Sequence, residues 1–300
     1  MASTFKNTVT IVGTLEDIDL EIRQYNDKVS GEPYNAIVGN YTLKAGDQNV
    51  SLRAFYRDKT AKGPNRNYDT ALRWMEDFDN AKGTTYRMTS NISSNPFVGR
   101  DGQVVDATQI QGNFLNDGAM ATQKAEFIVD LFITASPIPE LDQEGETTGR
   151  YILNGEIFDF RDTCFPAKFI IDSEQAYNYF ESLDASGSNP ILLEVWGKVI
   201  NNFIRREVTT ESAFGEAHVD IQQTSRRENI ITGAAVEPKE ITDELVNLIK
   251  SGREAYQVQR AAVEARNSNA AKPSGFGTVD TKTATGAASK NISAGAKFDF

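Results

Sequence analysis

The chain carries one β-rich pattern twice, and that constrains its architecture more than any other feature. In the first half, Met88-Thr-Ser-Asn-Ile-Ser-Ser-Asn-Pro-Phe97 is followed by Thr108-Gln-Ile-Gln-Gly-Asn-Phe-Leu115. In the second half, Val195-Trp-Gly-Lys-Val-Ile-Asn-Asn-Phe203 is followed by Glu228-Asn-Ile-Ile-Thr-Gly-Ala-Ala-Val236. Each copy reads as a strand ending in a short Asn-containing stretch, a polar excursion, and a second strand containing Ile and Gly. A spacing of about 110 residues is too long for a solenoid repeat and implies two similar domains in tandem.

The surrounding segments give each domain the same order. In the first, Val9–Ile22, Tyr34–Leu43 and Val50–Arg57 read as strands, with Gly13 as a bend, and Tyr68–Asn80 places Leu72, Met75 and Phe78 at helical spacing. Strands near 84–92 and 103–115 complete it. In the second, strands at 126–134, 149–160 and 167–171 precede a helix over 174–183 with Ser173 as N-cap, and strands at 191–198 and 229–236 follow. An acidic loop, Glu140–Glu146, separates its first two strands. The expected organisation is mainly β, with domains at 1–119 and 120–238, a C-terminal helix over 239–266 and a flexible tail over 267–300. Five strands with a helix between the third and fourth is the order of the OB-fold, a small, partly open barrel.

Composition narrows the chemistry. Cys164 and His218 are the only cysteine and histidine in 300 residues. An intrachain disulfide, a zinc finger and a His-based triad are thereby excluded, and a reducing cytoplasm is the expected compartment. No run approaches a membrane span, and the first residues lack a signal-peptide core. The net charge is −11, yet residues 267–300 carry four lysines against two aspartates, so the acidity belongs to the folded body. Overall acidity does not preclude a local cationic stripe. Glu16, Asp17, Asp19 and Glu21 read as a solvated strand face rather than a metal centre, and Asp142, Glu144 and Glu146 lack calcium-loop spacing. No cofactor, metal or catalytic constellation is expected.

Leu193-Glu-Val-Trp-Gly-Lys198 resembles the aromatic-Gly-Lys strand of single-stranded-DNA-binding proteins. The layout of residues 8–237, with the tail and its terminal Phe298-Asp299-Phe300, is similar to that of bacteriophage members of that class. The resemblance implies a non-enzymatic, sequence-tolerant binder of single-stranded DNA that protects replication or recombination intermediates. It also implies that the tail docks replication proteins such as a polymerase or helicase. One departure is the charge of the tail, which is slightly basic where such tails are acidic.

Stacking on unpaired bases requires aromatic faces beside cations. Alternation along Val50–Arg57 puts Val50, Leu52, Ala54 and Tyr56 on one face and Ser51, Arg53, Phe55 and Arg57 on the other. Lys59, Lys62 and Arg66 follow in the next loop. On Ile191–Lys198 the same reasoning turns Trp196 and Lys198 outward, with Arg205 and Arg206 further along and Arg226 and Arg227 flanking. Arg150, Phe158 and Phe160 share a parity and make a third aromatic-cation set. The competing reading is that these aromatics pack beneath a loop, a helix or the sister domain, and that the arginines pair with glutamates. The alternative function is a structural or scaffolding β-barrel protein of a virion or other assembly.

Overall fold

In a computed structural model of the chain, the residues described are 5–270 except Lys28, Val29, Lys62, Arg100, Asn113, residues 119–121, Gln143 and 211–217. The expected tail therefore lies outside the described residues, except for its first few positions. The elements in chain order are β1 (Asn7–Asn26), β2 (Pro33–Ala45), β3 (Gln48–Arg57), β4 (Lys59–Thr60), β5 (Gly63–Pro64), α1 (Arg66–Glu76), α2 (Phe78–Ala81), β6 (Thr85–Ser90), β7 (Ile92–Ser94), β8 (Phe97–Val98), β9 (Val104–Val105), β10 (Thr108–Ile110) and β11 (Phe114–Asp117). They continue as β12 (Lys124–Ile133), β13 (Ile138–Leu141), β14 (Thr147–Phe158), β15 (Cys164–Ile171), α3 (Glu174–Ser182), β16 (Ile191–Thr210), β17 (His218–Ala234) and α4 (Asp243–Ala270).

Pairing closes two five-stranded barrels of the same order. In the first, β1 pairs with β2 and β6, β2 with β3, and β6 with β11. A parallel bridge from Arg53 to Gln111 joins β3 to the last segment. In the second, β12 pairs with β14 and β16, β14 with β15, and β16 with β17. Here β15 and β17 run parallel through Ile170↔Ile230 and Ile171↔Ile231. This is the OB arrangement in both halves. The barrels share a sheet because the first half of β1 also pairs antiparallel with β12, from Asn7↔Val129 to Val12↔Lys124.

Local chemistry explains most boundaries. Strand β1 coils tightly at Gly13, where a Cβ would come 2.5 Å from the carbonyl oxygen of Lys44. A register shift between Leu15 and Asp17 then exchanges its inward and outward faces. Val9, Ile11 and Leu15 are buried before it, while Asp17, Asp19, Glu21 and Arg23 face outward after it. Helix α1 starts where the Asn65 side chain accepts from the backbone N–H of Asn67, and it buries Ala71 and Trp74 under the first barrel. The Trp74 indole donates to the Tyr86 hydroxyl at 2.9 Å. The expected helix over 68–80 is in fact two helices, because Asp77 leaves helical geometry (φ −147°) and its side chain caps the second.

Three further sequence expectations change. The last strand of the first barrel is not continuous over 103–115 but broken into β9, β10 and β11. The acidic loop at 140–146 begins as the edge strand β13, paired to β14. The excursion after Lys198 is a long antiparallel hairpin, β16–β17, registered from Val195↔Ala234 to Thr210↔His218. Near its base it meets the first barrel, where the Asn201 amide donates to the Ser51 carbonyl.

The main core runs through both barrels, from Ile11, Tyr41 and Leu52 to Phe127, Phe169 and Val195. A second cluster of Phe5, Phe132, Phe158, Cys164, Leu192 and Ile249 sits beneath α4. Burial pushes the Cys164 thiol up, which leaves it an unreactive part of this packing. The chain entering α4 is tied down by Lys239, whose ammonium lies 2.6 Å from the buried Asp130 carboxylate.

Candidate nucleic-acid interface

The outer face of β1, β2 and β3 carries an aromatic cluster. Tyr25 and Tyr34 are cross-strand partners with ring centroids 5.8 Å apart, and Tyr25 lies 5.6 Å from Phe55. Between them Ala36 and Val38 point outward by parity, yet both are buried, shielded by the larger side chains. Phe55 itself is 47% exposed, a large apolar ring offered to solvent. The alternation read along β3 is the one observed: Val50, Leu52, Ala54 and Tyr56 are buried, and Arg53 and Phe55 are exposed.

This face forms one wall of a groove of about 1010 Å³; β15 and the β16–β17 hairpin of the second barrel form the other. Five cations line it, Arg23, Arg53, Lys168, Arg226 and Arg227, against three carboxylates, Glu21, Glu140 and Glu228. The cations divide into held and available. Arg226 donates to both oxygens of Glu228, at 2.9 and 2.8 Å, and Arg150 reaches the same carboxylate at 2.7 Å. Burial pushes the Glu228 carboxyl up, but the hydrogen bonds from Arg226 and Arg150 outweigh it and the net shift is downward. Arg23 pairs with Glu21. Among the described residues, Arg53 and Arg227 have no carboxylate partner. Amides intersperse the cations: Asn40, Asn95, Gln109, Asn201 and Asn229 all line the groove.

The residues singled out by sequence fall in several places. Arg53 and Phe55 line the groove. Arg57 does not: its guanidinium sits 3.7 Å over the Tyr34 ring and 2.8 Å from Asp27, fixing the β1–β2 turn. Lys59 and Arg66 are exposed beyond the end of β3, outside the groove lining. Trp196 and Lys198 do point outward, and Trp196 lies against Gly233, where a Cβ would come 2.4 Å from the indole nitrogen. They precede the groove residue Ile200 at alternate positions of β16, with Trp196 about 13 Å from it at ~3.3 Å per residue. The aromatic-cation set of Arg150, Phe158 and Phe160 does not exist. Phe158 is fully buried, stacked 3.8 Å from Phe5, because that end of β14 is covered by the N-terminal segment and α4. Phe160 lies past the strand end, with Arg161 over its ring, and Arg150 is held by Glu228 and Glu140. The backbones of Arg205 and Arg206 belong to β16, but their side chains lie outside the described residues, as do Lys62, Phe298, Asp299 and Phe300.

Sequence reasoning missed Tyr25, Arg23 and Lys168. Arg23 and Tyr25 were missed because the strand was read as ending at Ile22 while β1 runs to Asn26, and Lys168 becomes relevant only when the barrels face each other.

Tandem OB barrels with a cationic, aromatic-walled groove between them define the class of architecture. The chain belongs to the YorF family, which it matches over residues 6–283. Among solved structures it is similar to the wild-type single-stranded DNA binding protein from Thermus aquaticus, at 12% identity over 80% of this chain and 97% of that one, with a TM-score of 0.44. A deletion mutant of the same Thermus aquaticus protein aligns at 12% identity over 80% and 98%, with a TM-score of 0.41. No curated protein matches the chain.

Proposed function

We propose that the protein is a non-enzymatic, sequence-tolerant single-stranded-DNA-binding protein, and that the strand lies in the inter-barrel groove. The observation that carries this reading is the exposed Phe55 ring beside Tyr25, flanked by Arg53, which has no carboxylate partner among the described residues, on the outer face of the first three strands of an OB barrel. That face of the fold is the one suited to oligonucleotides. Stacking on the rings tolerates any base, and the guanidinium groups meet phosphate. Protection of replication or recombination intermediates is the role we assign to such binding.

The test is fluorescence anisotropy of a labelled dT oligomer against a duplex of equal length. The single strand is expected to bind at least about tenfold more tightly, with the logarithm of the affinity falling linearly in log salt as counterions are released. Equal affinity for duplex, or no binding at low salt, contradicts the proposal.

Two variants refine it. Glu228→Gln removes the carboxylate that holds Arg226, freeing this groove cation for phosphate, while Arg150 keeps Glu140. Its affinity for the dT oligomer is expected to rise about threefold or more, with a steeper salt slope by ~0.7 per phosphate gained; an unchanged slope in the folded variant removes Glu228 from this role. Trp196→Ala, by contrast, lies beyond the groove. It is expected to change affinity for a short dT oligomer by less than about threefold, well below the cost of losing a stacking ring. A loss as large as that of Phe55→Ala would move the binding path onto β16.

A further inference from the structure

A side pocket of about 200 Å³ opens beside the groove and shares Arg53 and Phe55 with it. Its remaining lining includes Thr60, Asn65, Asn67, Gln111 and Gly112. We propose that this pocket receives one unpaired nucleobase from the strand in the groove; the inference rests on the reading of the groove as a single-strand site.

Three features support it. The first is size. At ~30 Å³ per water the space holds roughly seven waters, and it falls below the ~300 Å³ at which sites for drug-sized ligands begin, so it suits a single heterocycle. The second is chemistry. Phe55 supplies an apolar wall at the mouth, and the Gln111 carboxamide, a donor and an acceptor, has no partner among the described residues. A carboxamide can meet the edge of any base by turning over, so the pocket registers the presence of a base more than its identity. The third is rigidity. Asn65 is fixed by donating to the Arg57 carbonyl at 2.8 Å and accepting from the Asn67 N–H at 3.1 Å. Asn67 in turn accepts from the Leu115 N–H at 3.3 Å. The Gly112 N–H donates to the Arg53 carbonyl at 3.1 Å, and its lack of a side chain lets the backbone pack on the Tyr41 hydroxyl, which a Cβ would approach to 2.1 Å. The pocket is thus formed before any strand arrives, so little ordering cost falls on binding. A base held in a duplex cannot enter it, which makes the pocket a discriminator for unpaired strands.

The test fills the pocket and varies the ligand. Gln111→Trp occupies it from one wall, and Thr60→Trp from the neighbouring β4–β5 hairpin carries the test if the first variant does not fold. Each is titrated with a dT oligomer and with a fully abasic oligomer of the same length, after circular dichroism confirms the native fold. The filled pocket is expected to cost about tenfold in affinity for the dT oligomer and less than about twofold for the abasic strand. Equal losses on both strands, or an undiminished affinity for dT, overturn the pocket. Failure of the wild-type protein to bind either strand overturns the groove reading itself, and the pocket with it.

Discussion

Removing both rings of the platform, in Tyr25→Ala/Phe55→Ala, is expected to lower affinity for a dT oligomer by about two orders of magnitude. Base–aromatic stacking contributes about 1–3 kcal/mol per base, and two bases lose their faces. Phe55 is half exposed and Tyr25 partly so, both on the outer side of the barrel, so neither belongs to the core of Ile37, Tyr41 and Leu52. The variant should therefore fold, with a small loss of stability from uncovering Ala36 and Val38. The salt slope should hardly change, because Arg53 and Arg227 remain in place. Isothermal titration at two salt concentrations checks both statements. A fall in slope with little fall in affinity would mean that phosphate contacts, not stacking, carry the binding.

The second large effect concerns the barrel that holds this platform. Trp74→Ala is expected to destabilise the protein by about 3–5 kcal/mol, the cost of emptying a large buried aromatic site. Trp74 is 1% exposed, packs 5.3 Å from Tyr41 and 5.0 Å from Tyr86, and its indole N–H donates to the Tyr86 hydroxyl. Its loss leaves a cavity under β2 and also strips a buried hydroxyl of its donor. Chemical denaturation followed by far-ultraviolet circular dichroism measures the change; a loss below about 1 kcal/mol would show that α1 does not close the barrel as described.

The sequence made the platform legible where local pattern and tertiary outcome agree. Along β3, strict alternation over eight residues fixed which side Arg53 and Phe55 take, and the distant segments that reach this strand meet its backbone carbonyls at Ser51 and Arg53 without covering the Phe55 ring. Along β14 the same logic failed at Phe158, because Phe5 and α4, far away in the chain, cover what alternation alone would leave in solvent. Tyr25 was hidden for a different reason: the polar stretch after Ile22 reads as turn, whereas pairing with β2 carries β1 on to Asn26 and puts Tyr25 opposite Tyr34. The five-strand order with an intervening helix was readable twice from strand propensity and capping residues. The groove was not, since it depends on β1 pairing with β12 and on the hairpin crossing toward β3, where the Asn201 amide donates to the Ser51 carbonyl. Contacts of that range leave no periodic trace in the sequence.

Photo-cross-linking of a dT oligomer to the wild-type protein, followed by mass spectrometric mapping of the adducts, tests the location of the strand most directly. Adducts are expected on Tyr25 and Phe55 and on the facing segment Arg226–Asn229, and they should disappear in competition with unlabelled single strand but not with duplex. Adducts confined to Trp196 and its neighbours, with none on Tyr25 or Phe55, would contradict the assignment of the groove.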